Sequence, residues 1–220
     1  MLTTASFDYL KDLSKNNNRE WFHANKKVYE KDLKKPFQNL VQELIYSFQR
    51  HDPAIQIHVK DAIFRIYRDI RFSKDKTPYK THVSAVISPK GRKGKEYPGF
   101  YIHFEAGRLL MGGGAYFLEK SSLQKVRKAI TQEPQTLEKI VRDSTFVEYY
   151  EALQGEKNKR LPKEFKSIHE EQPLIANKQF YAMAELDPKN VLKDGFLAFA
   201  EQHYLALKPL NDFLIKAIYS

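Results

Sequence analysis

Residues 83–111 read VSAVISPKGRKGKEYPGFYIHFEAGRLLM, and here the chain changes period. Val83, Ala85 and Ile87 alternate with Ser84 and with His82 and Ser88 at the flanks, the two-residue repeat of a half-buried strand. Tyr101, His103 and Glu105 alternate with Ile102 and Phe104 in the same way. Ala106-Gly107-Arg108 supplies a turn, and Leu109 to Met111 closes an antiparallel hairpin. The strands at 83–88, 100–105 and 108–111 are therefore expected to share one antiparallel sheet.

Outward from this stretch the period is helical. Phe7, Leu10 and Leu13 share one face, and Asn16-Asn17-Asn18 ends that helix. Asn18 has the chemistry of an N-cap for a helix starting near Arg19. Pro36 either kinks that helix or opens a new one. Phe37, Leu40, Val41, Leu44, Ile45 and Phe48 then give the cleanest helical stripe, which the sheet is expected to cover. Downstream, Leu123, Val126 and Ile130 form one face, and Leu137, Ile140 and Val141 another. Residues 143–188 read as irregular, punctuated by Gly155, Pro162, Pro173 and Pro188. The C-terminal stretch from Phe196 to Ile218 is helical again, with Pro209 expected to break or bend it. The fold class is α+β: a central antiparallel sheet with N-terminal and C-terminal helices packed on it, and residues 1–220 forming one domain.

Composition removes several function classes. The chain has 220 residues, 42% apolar and 29% charged, as in an ordinary globular protein. It has no cysteine, which excludes disulfides, thiolate metal sites and a cysteine nucleophile. No apolar run approaches the roughly 18 residues of a membrane span. The N-terminal residues lack the basic start and apolar stretch of a signal peptide, so a cytoplasmic location with no membrane partner is expected. The net charge is +10. Residues 60–95 hold 11 basic and three acidic residues, a net +8, so almost all the excess sits in one segment. Such a field attracts phosphates, carboxylates or a nucleic-acid backbone.

Within that segment residues 64–82 read FRIYRDIRFSKDKTPYKTH. The stretch is read as a strand running into a turn. Arg65, Arg68, Arg71, Lys74, Lys76 and Lys80 are interleaved with Tyr67 and Tyr79. Arginine is the planar, bidentate partner of phosphate and carboxylate, and tyrosine adds a stacking ring and a hydroxyl. The competing reading is structural: Arg65 or Arg71 pairs with Asp69 while Asp75 caps the turn. A second set is His103 and Glu105, which share a strand face with Tyr101, and with His82 if its strand is the neighbour. A histidine with a carboxylate can move protons or bind a metal, but a cross-strand hydrogen bond is the commoner use, and no residue set is assigned as a metal site. Gly112-Gly113-Gly114 matches neither a P-loop nor GxGxxG. A bulge or close packing explains it better than an anion cradle. Nothing in the sequence names a cofactor or an oligomeric state.

These motifs also carry a resemblance. Residues 64–82, with Asn17-Asn18-Arg19-Glu20-Trp21-Phe22, Pro98 to His103, Gly112-Gly113-Gly114, the helix bearing Arg127 and Leu161 to Phe165, closely resemble the signature of a widespread family of conserved hypothetical proteins, a domain of unknown function. The resemblance spans nearly the whole chain and implies a complete domain, with no reaction attached. Where relatives tend to carry a Leu-Arg or Leu-Lys pair, this chain has Ile175-Ala176-Asn177 before Lys178.

Three functional readings follow. The leading one is a small anionic ligand held by Arg65, Arg68, Arg71 and Lys80 and lined by Tyr67 and Tyr79, with His103 and Glu105 as the acid–base pair if chemistry occurs. The second is a nucleic-acid-binding module, which requires an exposed basic face with projecting aromatics. The third is an interaction protein whose arginines are structural. The exposure and pairing of the arginines separate them.

Overall fold

The computed structural model describes residues 1–220. Two N-terminal helices, α1 (Thr4–Lys15) and α2 (Arg19–Ala24), precede a longer α3 (Lys35–Gln49). Asn18 caps α2 as its chemistry requires, its side chain accepting from the Trp21 amide at 2.9 Å. Pro36 lies in the first turn of α3, where its missing N–H costs nothing. A π-helical segment, Tyr29–Lys34, leads into it.

The sheet is antiparallel with strand order β1-β2-β3-β4. Its strands are β1 (His82–Ile87), β2 (Gly99–Glu105), β3 (Arg108–Ala115) and β4 (Phe180–Leu186). The three strands expected from the alternation are present. Between β3 and β4 run α4 (Lys120–Gln132), α5 (Pro134–Arg142) and α6 (Ser144–Tyr150), and α7 (Phe196–Tyr219) closes the chain. The α+β class is as read. Residues 143–188 are more ordered than expected, since they contain α6 and β4. Pro209 does not break α7. Its lost hydrogen bond and steric clash cost on the order of 3 kcal/mol, and the fully buried Leu207, Leu210 and Leu214 outweigh that.

The chain divides into two compact units. The first comprises Met1–Arg92, Tyr101–Met111 and Glu185–Glu201. In it Val83, Ala85, Ile102, Phe104, Leu109 and Met111 point to the core with Leu10, Leu13, Leu40, Leu44 and Phe48, and Phe7 meets Phe104 edge-on at 4.5 Å. The second comprises Lys93–Phe100, Gly112–Ala184 and Gln202–Ser220. There the buried Arg127 of α4 donates to the carbonyls of Ile175 at 2.9 Å and Asn177 at 3.2 Å. Its guanidinium lies 5.9 Å from the centre of the Phe165 ring. One arginine thereby ties the Leu161–Phe165 motif and the 175–177 segment to α4. Lys178, just beyond, pairs with Glu156 at 3.2 Å.

The glycine run lies inside β3. A Cβ on Gly113 would sit 1.8 Å from the Gly99 carbonyl oxygen, and one on Gly112 would sit 2.1 Å from that of Ala182. Carbonyl oxygens of the two neighbouring strands fill the space, so close packing explains the run and an anion cradle does not. Gly113→Ala is accordingly expected to cost at least about 1–3 kcal/mol, read as a lowered thermal midpoint. Gly107→Ala, in a turn with nothing within 4 Å of the added carbon, is the control and leaves the midpoint unchanged. Equal midpoints for the two variants would refute this account of the run.

Candidate functional site

The signature stretch forms an irregular antiparallel hairpin with no continuous strand. Tyr67 bridges Tyr79, the Arg68 amide donates to the Pro78 carbonyl at 2.9 Å, and the Lys80 amide donates to that of Ile66 at 2.8 Å. At its base Ile63 bridges Ala85 of β1, and the Phe64 amide donates to Ser84. Turn chemistry from Ser73 to Pro78 prevents a regular ladder beyond this. From the other side Asn17 grips the hairpin. Its side-chain amide donates to the Tyr79 carbonyl at 2.9 Å, and its side-chain oxygen accepts the Tyr79 N–H at 3.1 Å. Phe22 stacks on Tyr79 with centroids 3.9 Å apart. The asparagine acts as one rung of a β-ladder, joining the N-terminal motif to the hairpin.

The hairpin's cations divide into two groups. Arg68 donates to Asp75 and Thr77. Arg71 forks onto Asp69 at 2.9 and 2.8 Å, and Lys76 donates to the Ile70 carbonyl at 3.0 Å. The charge and hydrogen bonds of Arg71 hold the Asp69 carboxyl down at about 2. The Thr77 amide, then Arg68, do the same for Asp75. These contacts close the tip of the loop. Arg65, Lys74 and Lys80 have no carboxylate partner. Arg65 and Lys74 are exposed, whereas Lys80 is half-buried with its ammonium 5.3 Å from the Phe64 ring centre. Burial, and then Arg65, lower the Lys80 pKa. Tyr79 is buried as a packing residue, whereas Tyr67 is half exposed.

Lys80 leads onto the solvent-side face of β1 and β2. Phe64 meets Tyr101 edge-on at 6.4 Å, and the His82 and His103 rings stack at 4.1 Å. His103 Nδ1 lies 3.1 Å from the Tyr101 hydroxyl, and its Nε2 lies 3.3 Å from Glu105 Oε2. The Nε2–H tautomer satisfies both contacts, accepting from tyrosine and donating to the carboxylate. Arg108 Nε lies 2.8 Å from Glu105 Oε1, an ion contact without hydrogen-bond geometry. Burial first, then competition with the stacked His103 for a proton and the charges of Lys80 and Arg108, lower the His82 pKa to about 3. Burial also lowers that of His103, with Glu105 opposing. Both rings are therefore neutral at pH 7.

The structure thus brings His103, Glu105 and Lys80 to one face and adds His82, Ser84, Phe64 and Arg108. Arg68, Arg71, Lys74 and Lys76 lie out along the hairpin. The sequence signal for Arg108 was its place across a tight turn from Glu105. The donor atoms of His82, His103 and Glu105 all lie within 4.8 Å of one another, a spacing that could hold a metal ion. Arg108 holds Glu105 and lies 3.8 Å from Glu185, so Lys80 is left as a charge without an ion pair beside them, and it opposes a divalent cation there. A separate cavity of about 540 Å³ in the second unit is lined by Lys125, Lys128, Glu133, Asp212 and Lys216 and holds no histidine. No helix is long and apolar enough to cross a membrane.

The family described as conserved hypothetical protein, DUF2461, matches residues 5–213. The chain belongs to that family. Comparison with the curated proteins and with the solved structures finds no match.

The two neutral histidines set an acid response. Below about pH 6.5 the unfolded chain takes up protons that folded His82 and His103 refuse, so the unfolded state binds more protons. Stability then falls with pH from about 6.5 toward 3, by at most about 1.4 kcal/mol per pH unit per histidine. His82→Asn removes one such group. Urea unfolding of the variant between pH 6.5 and 4 is expected to show a shallower loss than the parent, and identical slopes would overturn the assignment.

Proposed function

We propose that this member of the family binds a small phosphate- or carboxylate-bearing ligand on the outer face of β1 and β2. Arg65 and Lys80 are its anion contacts. The observation that carries this reading is Lys80: a half-buried ammonium with no carboxylate, next to Arg65, the half-buried His82 and the buried His103, both rings neutral. No carboxylate forms an ion pair with Lys80 or Arg65, and Arg108 is already paired with Glu105 and lies 3.8 Å from Glu185. An anion placed there relieves the repulsion and raises the proton affinity of both rings. Tyr101, His103 and Glu105 form a proton relay beside it, the arrangement general acid–base chemistry requires. The pairing of Arg68 and Arg71 with the loop aspartates supports a structural role for those two, so their part in binding is secondary.

Phosphate is expected to raise the melting temperature beyond chloride at matched ionic strength. At ten times its dissociation constant the gain is about 1.4 kcal/mol, or about 3–6 °C for a chain of this size. Lys80→Gln and Arg65→Gln lose the response without lowering the midpoint of the free protein, since each removes an uncompensated charge. Arg71→Gln keeps it, and so controls for the general stabilisation that excluded anions give. No phosphate-specific shift in the parent, or an equal shift in all the variants, would end this reading.

A further inference from the structure

The tip of the hairpin holds an aromatic ring in water by construction. Phe72 is 94% exposed, and Tyr67, five residues earlier, is 51% exposed. Exposed aromatics on floppy loops are common, but this tip is closed on itself by side-chain bonds. Arg68 joins Asp75 and Thr77, Arg71 joins Asp69, Lys76 joins the Ile70 carbonyl, and the Thr77 amide joins Asp75 at 2.9 Å. At the root, Tyr67 leans on Phe22 and Tyr79 with centroids 6.0 and 5.4 Å away, which fixes the ring while leaving half of it uncovered. Every bond that orders the tip is internal to it, and none covers Phe72. The Arg71 guanidinium lies 5.8 Å from the Phe72 ring centre. Arg65 and Lys74, without carboxylate partners, flank the two rings along the chain.

We propose that this hairpin is a binding arm for single-stranded nucleic acid, with bases stacking on Phe72 and Tyr67 and phosphates meeting Lys74, Arg65 and, at the root, Lys80. The inference rests on the anion-site reading for its innermost phosphate and adds the polymer beyond it. The Cα atoms of residues five apart lie at most about 18 Å from each other, so the two rings span a few stacked nucleotides. Unpaired cations flanking aromatic platforms are what sequence-tolerant single-strand binding uses. A duplex hides its base faces and would leave Phe72 unused. A lipid surface calls for a cluster of exposed apolar side chains, and Phe72 stands among Arg71, Lys74 and Asp75.

The test is fluorescence anisotropy with a labelled thymidine dodecamer, the matching duplex, and vesicles containing phosphatidylserine. The single strand is expected to bind more tightly than the duplex. Affinity should fall with salt on a logarithmic slope of about −2, from about three phosphates released at roughly 0.7 each. Phe72→Ala should weaken single-strand binding by about tenfold with the salt slope unchanged. The exposed ring touches no core residue, so the variant folds, and an unchanged melting temperature verifies this. Lys74→Gln should instead flatten the slope by about 0.7. Unchanged affinity in Phe72→Ala, tighter binding of the duplex, or Phe72-dependent binding to the vesicles in place of the oligonucleotide would overturn the proposal. The phosphate melting shift separates the two readings. If it persists while the dodecamer fails to bind, only the arm is wrong, and if it is absent the anion site itself is wrong.

Discussion

The grip of Asn17 on Tyr79 is the constraint on which the candidate site depends. The hairpin has no regular strand of its own and touches β1 only at its base. A lone two-stranded ribbon is marginal in water. Asn17 supplies both halves of a missing ladder rung, donor and acceptor, from a fixed position just before the capped start of α2. Phe22, five residues further on, seals the rung by stacking on Tyr79. These contacts set the direction in which Lys80 leaves the hairpin, and hence the approach of its ammonium to Phe64 and the histidine face.

The electrostatics of that face oppose the fold's own interest. A protein gains nothing from a half-buried lysine beside an arginine, nor from two stacked histidines that must stay neutral. Elsewhere carboxylates meet cations directly, as with Arg50 on Glu201 at 3.0 Å and Lys208 on Asp212 at 2.6 Å. On one face of β1 and β2 and its hairpin, several desolvated groups gather without such pairing. Perturbed groups gathered in one place are the mark of a site shaped for a ligand more than for stability.

The sheet was legible because its first three strands alternate apolar and polar side chains cleanly. β4 was not, although Phe180, Ala182, Ala184 and Leu186 keep the same period. Tyr181 and Met183 between them are also apolar, and the flanking prolines and glycine resemble loop punctuation. The site was legible in part for a related reason. Alternation on β2 puts Tyr101, His103 and Glu105 on one face whatever the partner strand. Which cations are free was hidden, because it depends on the path of an irregular turn. Arg68 and Arg71 looked equivalent to Arg65 by spacing. Only the fold shows that Asp75 and Asp69 bond to the first two, while Arg65 acts on Asp69 only through space. The contribution of Asn17 was equally hidden, since a side chain that imitates a strand leaves no periodic trace.

The aspartates of the loop explain how a basic segment can be ordered and still attract anions. Six cations on one hairpin with no acidic partner would repel each other and splay the chain. Asp69 and Asp75 neutralise two of them inside the tip, and both pairs are exposed, so each is weak and screened by salt. Acting together on one short turn they fix its shape at small energetic cost. The remaining charge is left on the four cations that no aspartate bonds, Arg65, Lys74, Lys76 and Lys80, of which Lys76 is tied to the Ile70 carbonyl. The sequence therefore places its two carboxylates to choose which cations face outward as well as to lower the net charge, and the arm and the histidine face obtain their unpaired positive groups from the same arrangement.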